Sequence, residues 1–174
     1  MIPKALVGQS ALLPFLALIA ATGFWGSSFI TVARTLESTD PFTLVFLRFG
    51  VGALLVALWL RGRIFRIPLA TWKMGAVCAV VIYASYLFNH IGLMTILSST
   101  SGFLTALYVP ITPFLFWAIA GRRPELCAFA GAAVAFSGLV LLADPFNLEF
   151  SSRWGEWTTI FSAFLSALEI ILMG

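Results

Sequence analysis

From Met74 to Ala120 the chain is an almost unbroken apolar run. A helix needs roughly 20 apolar residues to cross a bilayer, so this run is about twice too long for one span and must fold back on itself. The polar cluster nearest its middle is Ser98-Ser99-Thr100-Ser101-Gly102, whose hydroxyls can satisfy local backbone groups and whose glycine relieves crowding. The reading therefore places a tight turn there, between two antiparallel spans. Beyond it, Ser98, Gly102 and Ala106 recur every four residues and offer a small face for a neighbouring backbone. Further on, Pro110 and Pro113 have no N–H for the carbonyls of Ala106 and Val109. That predicts a bent helix with unpaired acceptors at mid-membrane depth, which suits a solvated cavity.

Composition sets the class. Hydrophobic residues make up 61% of the chain and charged residues 10%, with a mean hydropathy of +1.04. Soluble domains average roughly a quarter charged, so the chain reads as an all-α integral membrane protein with the lipid bilayer as its first partner. The formal charge of +3 is spread over short connectors with no basic patch interleaved with aromatics, which excludes nucleic acid as a partner. Lys4 and the apolar run after it resemble a signal peptide, but the run continues to Ile30 and is too long for one. Cys78 and Cys127 fall near span starts on one side and read as buried small hydrophobes, without disulfide or metal use. There are no paired carboxylates, metal-spaced His or Cys clusters or nucleophile elbow, so no enzyme, metal or cofactor is expected.

In chain order, spans are predicted at Ala11–Val32, Pro41–Leu60, Met74–Leu93, Ser99–Ala120 and Leu126–Ala143. A polar connector, Asp144 to Glu156, precedes a sixth apolar stretch, Trp157 to Met173. Lys4, Arg61, Arg63, Arg66, Lys73, Arg122 and Arg123 fall on one side and only Arg34 and Arg153 on the other. By the positive-inside rule the N-terminus is cytoplasmic in a multi-pass cell-membrane protein. Trp59, Trp72, Trp117, Trp154 and Trp157 lie near span ends, where amphipathic rings settle, whereas Trp25 lies deep within one. The finish at Met173-Gly174, with no basic anchor or polar tail, predicts a truncated chain.

The string Gly92-Leu93-Met94-Thr95, then Ser101-Gly102-Phe103-Leu104-Thr105, then Tyr108-Val109 and Pro113, resembles the third-to-fourth helix region of the drug/metabolite transporter superfamily, EamA type. Trp25-Gly26-Ser27 with Phe29 is similar to that family's opening helix, and Pro41 followed by Arg48 to its second. Where the family carries a Gly-Glu-Arg turn, this chain has Gly121-Arg122-Arg123-Pro124-Glu125, with arginine at the glutamate position. The resemblance implies half of an inverted-repeat, ten-helix transporter. Residues 1–143 would be the first five-helix repeat, 144–156 an external connector, and 157–174 the first helix of a truncated second repeat. A second repeat or partner chain would then complete the molecule. Thr22-Gly23-Phe24-Trp25 can be laid over Ser166-Ala167-Leu168-Glu169, an echo that such a pairing of first and sixth helices predicts. The implied function is secondary transport of small metabolites or amphipathic solutes, with export the expected direction and proton coupling the expected drive. The alternative is a non-transporting membrane subunit or an inactive fragment.

A few intramembrane polar groups could carry that function. Arg48 costs several kcal/mol in hydrocarbon unless it faces a partner, a wet cavity or an interface; it either holds an anionic substrate group or snorkels. His90 lies near the outer end of its span, at a depth it could share with Arg48, and reads as a solvated histidine or a proton-coupling group. Glu169 is the carboxylate set deep in an apolar segment, where protonation can follow alternating wet and dry surroundings, or where it pairs with a cation. Trp25, Tyr83, Tyr86 and Tyr108 are packing aromatics or a cavity wall, with Trp25 and Tyr108 the two to favour. Ser28, Thr105 and Thr112 are candidate hydrogen-bond donors to substrate. Gly131, Ala135 and Gly138 read as a helix-packing face.

Overall fold

The computed structural model describes residues 12–62, 67–143 and 152–173. These form α1 (Leu12–Leu36), α2 (Pro41–Leu60), α3 (Leu69–Leu93), α4 (Ser98–Thr105), α5 (Tyr108–Ala120), α6 (Leu126–Ala143) and α7 (Arg153–Met173). Lys4, Arg63, Arg66, Gly174 and residues 144–151 of the connector lie outside the described residues. Among the described residues, five segments are long and apolar enough to cross a membrane: α1, α2, α3, α7 and the α4–α5 pair taken together as Ser98–Ala120. A shorter apolar stretch, Leu126–Leu141, occupies α6. The chain is an all-α, multi-span membrane protein. Its outward faces carry large apolar side chains, among them Leu13, Phe24, Trp59 and Leu126, as a lipid-facing surface requires.

Helix ends follow local chemistry. Asp40 caps α2 by accepting from the Thr43 backbone N–H at 3.0 Å, and Pro41 takes the first helical position, where its missing N–H costs nothing. α5 stops at Gly121, whose φ of 64° is left-handed and cheap only for glycine. α7 begins at Arg153, four residues earlier than the hydropathy predicts. Ser152 accepts the Gly155 N–H on its hydroxyl and the Glu156 N–H on its carbonyl, so a helix starts inside the polar connector. α3 likewise starts at Leu69 rather than Met74, after Pro68.

The reversal between α3 and α4 falls at residues 94–97, ahead of the serine cluster. The Gly92 carbonyl accepts from the N–H of Thr95 (2.9 Å) and of Ile96 (3.2 Å) and from the Thr95 hydroxyl (3.1 Å), which closes the turn. Ser98 to Gly102 are already helical, and the N-cap of α4 is Leu97, which makes no side-chain cap hydrogen bond. The expected small face is also displaced: Thr100, Ser101, Leu104 and Thr105 are the buried residues of α4, and nothing lies within 4 Å of where a Cβ on Gly102 would stand. The same holds for Gly131 and Gly138, so among the described residues they seat no close-packed neighbour. Cys127 is exposed rather than buried, its thiol donating to Glu125 at 3.3 Å, because α6 packs mainly along α5.

The predicted proline bend is a break at Ala106–Leu107. The Leu107 N–H turns back to the Leu104 carbonyl and the Val109 N–H to the Ala106 carbonyl (3.0 Å), both tighter than an α-turn. The Ala106 carbonyl is therefore satisfied, contrary to expectation, because the backbone contracts upstream of Pro110. Pro110 then sits in the first turn of α5, where an N–H is not needed.

Packing centres on α7, which lies along α3 and also touches α4 and α5; α1 and α2 flank α3. The α3–α7 backbones all but touch at Gly92 and Gly155. A Cβ on Gly92 would meet the Gly155 carbonyl at 2.7 Å and the Thr158 hydroxyl at 3.0 Å; one on Gly155 would meet the Gly92 carbonyl at 3.0 Å. Small residues let membrane helices approach this closely. Further along, the seam is held by Ser85 donating to the Ser162 carbonyl (3.1 Å), by the Ser85–Ser166 hydroxyl pair (2.8 Å), and by the Phe88–Phe161 edge contact.

Candidate functional site

Two adjoining hollows open beside that seam. The larger, about 190 Å³, is walled by Trp25 and Phe29 of α1, Ser85, Tyr86 and Asn89 of α3, Thr105 and Tyr108 on either side of the α4–α5 break, and Ser166 and Glu169 of α7. The smaller, about 20 Å³, shares Trp25, Phe29, Tyr86 and Asn89 and adds Ser28, Arg48 and His90. Trp25, Ser28, Arg48, His90, Thr105, Tyr108 and Glu169 thus each line one lobe or the other. Glu169 stands in the larger and Arg48 in the smaller. Tyr83 and Thr112 line neither, though Thr112 lies on a separate apolar groove between α5, α6 and α7.

The arrangement follows from helix registers. On α7, Ser162, Ser166 and Glu169 fall at i, i+4 and i+7, one stripe along the helix. Ser85 and Asn89 repeat the four-residue step on α3 and meet that stripe across the seam. The break between α4 and α5 brings Thr105 and Tyr108, three residues apart, to the same wall. Trp25 and Glu169, the positions linked by the internal echo, both line the larger lobe.

Arg48 places its guanidinium carbon 4.9 Å from the centre of the Tyr86 ring, a cation–π contact, and has no ion pair among the described residues. Phe49 meets the same ring edge-on at 5.3 Å. His90 is not solvated: it is 2% exposed, held by a 2.6 Å hydrogen bond between Nδ1 and the Tyr86 carbonyl. A carbonyl only accepts, so Nδ1 carries the proton; Nε2 is buried without a partner among the described residues. The i, i+4 step from Tyr86 to His90 keeps the ring against its own helix, which is why it is dry near a span end.

The hydroxyls expected to donate to substrate are already committed. Ser28 donates to the Trp25 carbonyl (2.6 Å), Thr105 to that of Ser101 (2.7 Å) and Thr112 to that of Tyr108 (2.7 Å). In an apolar medium a hydroxyl proton finds the nearest carbonyl, one helical turn back. These residues can still accept, and Thr105 does so from Asn89 Nδ2 at 2.8 Å. Asn89, Phe29, Ser85 and Ser166 are wall residues that the sequence reading did not select, and Tyr86, named there but not favoured, joins them; the polar steps on α3 and α7 were the available signal. Among the described residues no three His, Cys, Asp or Glu side chains come together as a metal site.

No solved structure matches this chain. An "Uncharacterized transporter" of Archaeoglobus fulgidus is 28% identical over 160 residues, covering 91% of this chain and 47% of the relative. The chain spans about half the length of that curated relative. The EamA-like transporter family matches residues 12–143, which run from the start of α1 to the end of α6 and include the Trp25, Arg48, Thr105 and Tyr108 walls of the two lobes. On that match, and with the spans and hollow it encloses, the chain belongs to the EamA-like transporter family.

Proposed function

We propose that this chain builds the cavity of a secondary transporter that exports small metabolites or amphipathic solutes by alternating access, in exchange for protons. One observation carries the reading: a two-lobed hollow between membrane-spanning helices is lined by two ionisable groups, the half-buried Glu169 and the more exposed Arg48, that have no ion pair among the described residues. Ions cost too much at membrane depth to be kept there idle. Arg48, Trp25, Tyr108, Thr105 and Ser28 contact the solute, the last two as acceptors. Glu169 carries the exchanged proton, with His90 behind Arg48 as a second proton group. The N-terminus is cytoplasmic. Trp25 is 43% exposed although it lines both lobes, which fits a second repeat or partner chain closing that side.

The test is solute flux in proteoliposomes under an imposed pH gradient, with amino acids and amphipathic cations as trial solutes. Flux that follows the gradient and falls more steeply than membrane insertion in Arg48→Gln supports the reading. Equal loss of flux and insertion assigns Arg48 a structural role, and no flux with any solute from the chain joined by its second repeat or partner overturns the transporter. The second reading, a non-transporting membrane subunit or an inactive fragment, draws on the 47% coverage of the relative. Flux by this chain alone ends it.

A further inference from the structure

Following the hydroxyl protons of Thr105, Ser85 and Ser166 in the larger lobe narrows what it can hold. A serine or threonine has one proton to give. That of Thr105 goes to the Ser101 carbonyl, while its oxygen accepts from Asn89. That of Ser85 goes to the Ser162 carbonyl, so in the 2.8 Å Ser85–Ser166 pair Ser166 must be the donor. The hydroxyls of Thr105, Ser85 and Ser166 therefore turn only lone pairs to a ligand, while that of Ser162, also on this wall, can still donate. Glu169, the one charged group on this lobe, is without a hydrogen bond or ion pair among the described residues. Around it stand the rings of Trp25, Phe29, Tyr86 and Tyr108, whose π-systems attract cations. The donors left over, on Ser162, Trp25, Asn89 and the tyrosines, are neutral. The lobe's one positive neighbour, Arg48, is drawn off over Tyr86 in the smaller lobe.

We propose that the larger lobe is an ammonium site. It takes the protonated amine of a small organic solute, with its N–H groups on the Glu169 carboxylate and on the Ser166 and Thr105 oxygens, and its apolar part among the rings. The fixed acceptors favour a primary amine over a quaternary one, which has no N–H to offer. Arg48 orients the solute by repulsion, so that its charge lies towards α7. At about 190 Å³ the lobe is smaller than the roughly 300–1,000 Å³ of drug-sized sites, so the solute is small. This inference names a substrate class for the transporter reading and rests on it for the site's purpose.

The test is equilibrium dialysis of the full chain in lipid nanodiscs at pH 7 against three near-isosteric probes: 2-phenylethylamine, 2-phenylethanol and phenylacetate. The amine is expected to bind about tenfold tighter than the alcohol, as a charge-assisted hydrogen bond allows, with phenylacetate weakest. Glu169→Gln should bring the amine to the level of the alcohol, Glu169→Asp should keep most of the preference, and Ser166→Ala should reduce it. Equal binding of amine and alcohol, binding of none of the three, or a preference that survives Glu169→Gln each overturns the ammonium site. Should Glu169→Gln fail to fold, the wild-type preference and Ser166→Ala still decide. Flux of the same probes separates the two readings. An amine preference in binding without flux from the chain joined by its second repeat or partner overturns the transporter and leaves the site; flux indifferent to charge overturns the site and leaves the transporter.

Discussion

Substituting Gly92 by alanine tests whether the α3–α7 crossing is as close as the coordinates place it. The new methyl would stand 2.7 Å from the Gly155 carbonyl oxygen, about 0.7 Å inside the 3.4 Å at which ordinary contact begins, and would also crowd the hydroxyls of Thr159 and Thr158. The threonines can turn; a backbone carbonyl inside a helix cannot, so α3 and α7 must separate. Overpacking of this kind costs about 1–3 kcal/mol, and two rigid helices put the case at the upper end. Alanine returns about 1 kcal/mol through helix propensity. The net expectation is a loss of about 2 kcal/mol, near the sum of the two opposing effects. Gly102→Ala is the matched control. Nothing lies within 4 Å of its new methyl, so it should be neutral or stabilising by up to about 1 kcal/mol. Reversible SDS unfolding in mixed micelles, followed by circular dichroism, gives both values. If Gly92→Ala proves as stable as Gly102→Ala, the helices are farther apart than described and the seam argument fails.

Two smaller effects follow from single hydrogen bonds. Asn89→Leu removes the donor to Thr105 and should cost about 0.6 kcal/mol in the same unfolding assay, the usual worth of a side-chain bond between membrane helices, while Thr105→Ser keeps the bond and should cost less. At the α2 cap, the Thr43 hydrogen bonds, side-chain first, hold the Asp40 carboxyl below its ordinary value. A depressed carboxylate contributes stability that is fully present above its unfolded value near 3.8 and is lost as pH falls through the lower, folded one. Asp40→Asn, which caps without titrating, should therefore flatten the acid limb of the stability–pH curve; an unchanged limb would show that the cap carries no such linkage.

Much of the architecture was legible in the chain. Run lengths set the spans, because a backbone in hydrocarbon must satisfy itself and leaves helices as the open solution. Arg48, Glu169, Trp25 and Tyr108 stood out because charge and deep aromatics are costly or conspicuous in an apolar segment. What a linear reading could not supply was direction and pairing. The serine cluster invited a turn, yet the turn lies at residues 94–97, because closing it needs only the Gly92 carbonyl and the nearby Thr95. Ser28, Thr105 and Thr112 read as donors, yet each gives its proton to a carbonyl one turn back, a bond that exists only once the helix has formed.

The sequence by itself determined that this chain lives in a bilayer, roughly where it crosses, and which few residues are too polar to be there without cause. Tertiary structure alone decided which of those residues meet. The Gly92–Gly155 contact draws α7 onto α3, and only then do Ser85, Asn89, Ser166 and Glu169 face one hollow. Hydropathy is a property of segments, summed along the chain, whereas a site depends on rotation and distance between helices, which side-chain packing sets.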